Sequence, residues 1–312
     1  MFLLRKWYFD YLTPDGEYAY VYFAYITLAG RTMRSLTVHV AAPGASPVSR
    51  SCLLAGHRES GRGMTDCALA LPCGEIRVGD RGCTLFLVRD DFTVNLTFAQ
   101  GSGGTGAPVE IPAGRKSRIV WMPVALRYTV SGTITLGGTV VEPRGAFGYA
   151  DTLESTCLPP FVPARMLYWG RAHHPLLDLT YVHAHSRTGE SVCSRFYMQN
   201  GAGVLSGELT FAPDPAGGGS SGGAAAAGDY VITGTAGGGR VNARVHRVRP
   251  VQDSGFIDQQ DVRSPLFRRL IRAFTRDPRG TKYLSRADLS LVVPAGEERI
   301  DDLAMIDECV RL

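Results

Sequence analysis

Short runs of alternating or continuous apolar residues, bounded by Gly, Pro, Asp and Asn, recur along the whole chain. A period of two marks a strand, because successive side chains leave opposite faces of a sheet. Trp7–Tyr11 and Glu17–Leu28 read as a hairpin closed by Thr13-Pro14-Asp15-Gly16, whose Pro and Gly suit a tight turn. The second run is aromatic on both faces, with Tyr18, Tyr20 and Tyr22 on one side and Phe23 and Tyr25 on the other. Such a strand is either buried on both sides or lines an apolar cavity on one. Arg31–Val40 follows, with Leu36, Val38 and Val40 on a common face. Further strands are predicted at Gly74–Val78, Cys83–Val88, Thr93–Phe98, Arg118–Leu126, Tyr128–Leu136, Leu177–His185, Ser191–Met198, Val204–Phe211, Tyr230–Ala236, Arg240–Val248 and Tyr283–Val293. Gly137-Gly138 reads as a two-residue turn, and residues 102–106 and 217–228 as low-complexity hairpin tips.

One segment has helical spacing. Ser264 suits an N-cap and Pro265 the first helical position, and Leu266, Phe267, Leu270, Ile271 and Phe274 form a stripe opposite Arg268, Arg269, Arg272 and Arg276. That helix either packs on a barrel mouth or sheet face, or touches anionic lipid as a peripheral membrane contact. The fold class is therefore all-β with one short amphipathic helix in the C-terminal half. The proline-rich stretch Cys157-Leu158-Pro159-Pro160-Phe161-Val162-Pro163 stiffens the chain and blocks strand pairing, which divides it into residues 1–156 and 157–312.

At 312 residues the chain is long enough for two such units, each with a core. The net charge of +4 is mild and the basic residues are scattered, so nucleic acid is not an expected partner. Seven cysteines are present, without CxxC pairs or histidines at zinc spacing; they read as small buried hydrophobes of a reducing, cytoplasmic protein. Met1-Phe2-Leu3-Leu4 is too short for a leader and is cut by Arg5-Lys6. No Gly-x-Ser-x-Gly elbow occurs, and the glycine runs lie between strands, so neither a hydrolase nucleophile nor a dinucleotide or phosphate loop is indicated.

The densest chemistry lies in Gly148-Tyr149-Ala150-Asp151 and Tyr168-Trp169-Gly170-Arg171, preceded by Trp121-Met122-Pro123 and by Gly132-Thr133-Ile134-Thr135-Leu136-Gly137-Gly138. In this order the segment resembles the carotenoid 1,2-hydratase (hydroxyneurosporene synthase) family of lipocalin-like proteins, over roughly residues 119–185. Trp7-Tyr8-Phe9-Asp10 echoes the opening of those proteins, where the first strand borders the pocket. Members usually follow Tyr-x-Asp with His-Asn-Trp-Gly, whereas Asp151 is followed by Thr152-Leu153-Glu154-Ser155. The resemblance implies two lipocalin-like antiparallel barrel or sandwich units with a pocket between them. It also implies a cofactor-independent enzyme, monomeric or homodimeric, acting on a hydrophobic polyene, terpenoid or polyketide-like substrate. Related lipocalin-like cyclases of the Diels–Alderase type tolerate the missing residues better than alkene hydration does, which places cyclisation or isomerisation ahead of hydration. A non-catalytic carrier of an apolar molecule is the alternative.

Protonating an alkene needs an acid held in apolar surroundings and aromatic faces that tolerate a cation. Asp151, Tyr149 and Arg171 are the catalytic candidates, and Trp169, Tyr168, Tyr8, Trp7, Glu154, His173 and His183 the substrate-binding ones. Asp151 equally suits a turn-capping role, and Arg171 either binds substrate, holds Asp151 ionised or closes a structural ion pair. His183 and His185 share a strand face, which suits a polar rim, acid–base work or a metal, but no third ligand accompanies them.

Overall fold

The computed structural model describes residues 2–101, 104–113, 117–200, 203–213, 229–237, 239–255, 279–293 and 296–311. The helix expected at 264–276 and the tip at 217–228 lie outside the described residues, as does part of the tip at 102–106. Two compact units result, one on Met1–Val162 and one on Pro163–Ser254 with Pro278–Leu312. All strand pairings described are antiparallel, and the proline-rich stretch runs between the last strand of the first sheet and the first strand of the second.

The first unit contains β1 (Phe2–Leu12), β2 (Tyr18–Leu28), β3 (Arg31–Ala41), β4 (Val48–Leu53), β5 (Arg58–Gly63), β6 (Asp66–Leu71), β7 (Gly74–Gly79), β8 (Gly82–Arg89), β9 (Phe92–Gln100), β10 (Val109–Pro112), β11 (Arg118–Leu136), β12 (Thr139–Val141) and β13 (Phe147–Ser155). They form one sheet in the order β4-β3-β2-β1-β13-β11-β9-β8-β7-β6-β5, with β10 and β12 flanking β11. The sheet curls around a single apolar core that takes Trp7, Phe23 and Leu36 from one side and Leu69, Ile76 and Phe98 from the other. Its far end is tied back by polar contacts: the Trp7 indole N–H donates to the Met64 carbonyl at 2.9 Å, and Arg5 pairs with Glu59 at 3.0 Å.

Two strands read separately in the sequence, Arg118–Leu126 and Tyr128–Leu136, are the single strand β11. The break in its pattern is a pair of register shifts between Pro123 and Tyr128, where a bulge bends the strand without ending it. Gly137 and Gly138 have φ of 58° and 84° and form the tight turn into β12, as the sequence implies.

The second unit is a closed eight-stranded barrel of β14 (Met166–His174), β15 (Leu177–His185), β16 (Ser191–Asn200), β17 (Gly203–Pro213), β18 (Tyr230–Ala236), β19 (Gly239–Gly255), β20 (Arg279–Val293) and β21 (Gly296–Arg311). Its lumen is filled by side chains. A Cβ built at Gly170 would meet the Tyr181 ring at 2.2 Å, and one at Gly234 the Phe196 ring at 2.5 Å, so glycines make room for both rings. Farther along the lumen the buried Arg247 guanidinium donates to Asp307 Oδ2 through Nε and Nη2 at 2.8 and 2.7 Å. Ser285 donates to the other carboxylate oxygen, and Tyr230 and Tyr283 lie 5.0 and 4.5 Å from the guanidinium. Burial pushes the Asp307 carboxyl up, and Arg247 and Ser285 oppose that shift.

Gly170→Ala is therefore expected to destabilise the chain by about 1–3 kcal/mol and lower its melting temperature by several degrees, read by circular dichroism. An unchanged melting curve would contradict a filled lumen.

Candidate functional site

Burial along the strands localises the chemistry. In β7, β8 and β9 buried and more exposed residues alternate, as in a sheet with one dry face. Trp7–Leu12 of β1, Tyr18–Ile26 of β2, Ser35–Ala41 of β3 and Gly148–Leu153 of β13 are buried without a break. Their odd-numbered partners in β1 and β2 (Trp7, Phe9, Tyr11, Ala19, Val21, Phe23) face the apolar core. The register then fixes the other face: Tyr8 pairs with Tyr22 and Asp151, Asp10 with Tyr20 and Tyr149, and Tyr20 with His39. Pro123 lies opposite Asp151, and Trp121 opposite Leu153. A buried layer of phenols, one imidazole and two carboxylates, joined by the half-buried Lys6 ammonium, thus backs the core of the first unit.

Within this layer Tyr8 Oη donates to Asp10 Oδ2 at 3.0 Å and shares a 2.5 Å hydrogen bond with Tyr18 Oη. Tyr20 stacks on Tyr8 and on His39, with ring centroids 5.6 and 4.9 Å apart, and His39 Nδ1 lies 2.5 Å from Ser49 Oγ. The Lys6 ammonium is 3.9 Å from Asp151 Oδ1 and stands over the Tyr8 and Tyr22 rings at 5.1 and 5.7 Å. Asp151 Oδ1 is buried without a hydrogen-bond donor, an expensive state for a carboxylate oxygen and one that ligand binding can relieve.

Tyr8, Tyr149 and Asp151 of the predicted residues therefore come together. Trp7 and Glu154 do not join them, because both lie on the opposite face of their strands. Trp7 is in the apolar core. Glu154 accepts from Arg5 Nε at 2.8 Å and from Arg118, and although burial opposes it, these bonds hold its carboxyl below the usual range.

The remaining candidates lie in the second unit on two faces of β14 and β15. Tyr168 and His183 point into the lumen, where Phe211 packs against both at 4.4 and 5.3 Å. Burial, then His185, lowers the His183 imidazole to about 4, so it is neutral at pH 7. Trp169, Arg171 and His173 lie on the outer wall, where Arg171 pairs across the strands with Thr180 and Ile306, and His173 with Asp178. Arg171, His173, Asp178 and Thr180 are all buried. Among the described residues, no group of three His, Cys, Asp or Glu side chains is arranged to hold a metal ion.

Sequence reasoning missed Lys6, Asp178, Gln199 and the Arg247–Asp307 pair. The aromatic alternation of Tyr18, Tyr20 and Tyr22 was the usable signal for the first unit. The others are set by strand register between distant segments.

No family model and no curated protein matches the chain. Solved structures do match. CghA in complex with Sch210972 superposes with a TM-score of 0.71 at 12% identity, covering 99% of this chain and 88% of that one. CghA alone gives 0.70 at 11% identity over the same shares. Kievitone hydratase from Nectria haematococca gives 0.55 at 12% identity, covering 98% of this chain and 88% of that one. At such identities the likeness is one of fold: an all-β, lipocalin-like chain, as the sequence resemblance implies.

Because the Glu154 carboxyl is held below its ordinary 4.5, its contribution to stability is present above that pH and is lost as pH falls through the depressed value. Glu154→Gln is expected to cost about 1 kcal/mol at neutral pH and to shrink the loss of stability on acidification below pH 4.5, measured by urea unfolding across pH.

Proposed function

We propose that this chain is an enzyme that cyclises or isomerises an apolar, unsaturated, natural-product-like molecule on the tyrosine-rich layer of its first unit. The Lys6–Asp151 ion pair within that layer carries the reading. A carboxylate committed to an ammonium is an acceptor and an electrostatic anchor, whereas hydrating an isolated alkene needs a proton donor to carbon. The donors in the layer are the Lys6 ammonium and, where a substrate carbonyl displaces a link of the Tyr18–Tyr8–Asp10 chain, the phenols of Tyr18 and Tyr8. Hydrogen bonds from such groups to a substrate carbonyl withdraw electron density from a conjugated alkene and lower the barrier to ring closure.

The faces of Tyr8, Tyr20 and Tyr22 offer a flat apolar surface against which a flexible polyene can be held in a reactive fold. Fixing that fold removes conformational freedom before the reaction, which is where most of the acceleration of a unimolecular cyclisation arises. This chemistry calls for no cofactor. The fold shared with CghA and with kievitone hydratase supports both cyclisation and hydration as neighbouring possibilities. The ion pair favours the first.

The test is a metabolite comparison in host cells lacking the protein, complemented with wild type, Asp151→Asn or Lys6→Met, each checked for folding. The expected result is a wild-type-dependent product of the same mass as its precursor, formed about a hundredfold more slowly by either variant with ligand affinity little changed. A product heavier by one water would replace cyclisation with hydration. Identical profiles for wild type, variants and deletion would overturn the enzyme reading and leave a carrier.

A further inference from the structure

The sheet of the first unit has a gap that the tyrosine layer does not use. Along one side of β11, β10 pairs with Arg118–Trp121 and β9 pairs with Tyr128–Leu136. Among the described residues no strand pairs with positions 122–127 on that side, and both register shifts of β11 fall in the same stretch. A bulge bends its strand and interrupts the ladder, which is how a sheet acquires such an opening. The chain between β9 and β10 crosses the gap and packs closely at Gly106, where a Cβ would stand 3.0 Å from Pro123 Cγ.

A cavity of about 460 Å³ occupies this place, within the size range of small-molecule sites. Met122, Pro123 and Val124 all line it, three consecutive residues that a regular strand would divide between two faces. Val124 also belongs to the apolar core, and Ala107 and Pro108 extend the apolar wall. One ionisable side chain lines the cavity, Asp80 in the turn between β7 and β8. Its carboxylate is exposed and has no ion-pair partner among the described residues. Apolar wall favours a ligand body that leaves water, and a single negative charge beside it selects the sign of the ligand's polar end.

We infer that this gap is a binding site for a compact apolar amine. The hydrocarbon body packs against Met122, Pro123 and Val124, and the ammonium pairs with Asp80. Solvent screens a carboxylate as exposed as this one, so apolar contact supplies most of the affinity and the charge supplies selectivity. The site lies within the first unit and uses neither the Lys6–Asp151 pair nor the phenols, so it stands or falls apart from the enzyme reading.

The test uses the full chain with isotope-labelled methionine methyl groups, the Met122 resonance being assigned with Met122→Leu. Three probes share one hydrocarbon cage: adamantylamine, adamantanol and adamantane carboxylate, titrated at pH 7 and followed by NMR. The Met122 methyl is expected to shift saturably with the amine, which binds about fivefold more tightly than the alcohol, the carboxylate being weakest. Asp80→Asn, at a turn position that accepts either residue, is expected to bring the amine down to the affinity of the alcohol and leave the alcohol unchanged. Thr105→Trp, which fills the cavity from an exposed loop position, is expected to weaken amine and alcohol alike at an unchanged melting temperature. A Met122 methyl that does not respond to the amine overturns the site, as does undiminished binding by folded Thr105→Trp. Equal affinity for amine and carboxylate, or an amine indifferent to Asp80→Asn, overturns the ligand class.

Discussion

A strand buried on both sides must serve two environments with one alternating sequence. Everything distinctive about this chain depends on how β1, β2, β3 and β13 meet that constraint. Their core-facing residues, among them Trp7, Phe9, Val21, Phe23, Leu36 and Val38, are mostly apolar and supply volume, with Trp7 and Tyr11 bonded at their polar tips. Their other face is as dry but polar, and each dry polar atom is expensive unless bonded. Tyrosine suits this position because its ring supplies apolar area while its hydroxyl can reach a neighbour. The chain Tyr18–Tyr8–Asp10 and the stack Tyr8–Tyr20–His39 are the result, a rigid surface whose hydroxyls have fixed directions.

The second unit solves a different problem. A barrel of eight strands has an interior just wide enough for side chains, and here Tyr181 and Phe196 occupy the space left by glycines. Arg247 and Asp307 lie in that interior with both charges nearly inaccessible. Desolvating them is costly, and removing either partner alone would cost about 3–5 kcal/mol. The pair is kept by two hydrogen bonds to one carboxylate oxygen, a serine on the other and two aromatic faces over the guanidinium.

Strand identity was legible wherever alternation was clean, as at Thr93–Phe98 and Leu177–His185. It failed at β5, Arg-Glu-Ser-Gly-Arg-Gly, which has no apolar period and is held by its neighbours and by Arg5–Glu59. It failed again at β21, whose opening Gly-Glu-Glu-Arg is exposed and charged. Tyr168-Trp169-Gly170-Arg171 reads as one cluster in the sequence. In a strand, adjacent residues point apart, so Tyr168 and Arg171 work on opposite sides of the barrel wall. The sequence cannot reveal partners such as Arg5 and Glu154, 149 positions apart, because their meeting depends on the order of strands in the sheet.

The filled lumen has a practical corollary for anyone wishing to alter what this protein handles. In many barrels the inside is the natural place to diversify; here a library drawn on the inward positions of β14 and β15 would mostly sample collapsed chains. Variation confined to the outward set, Trp169, Arg171 and His173 with Thr180 and Val182, leaves every lumen contact untouched. The solid interior thus confines any change of lumen shape to one alternate set of positions, although Arg171, His173, Thr180 and Val182 on the other side of the wall are buried as well.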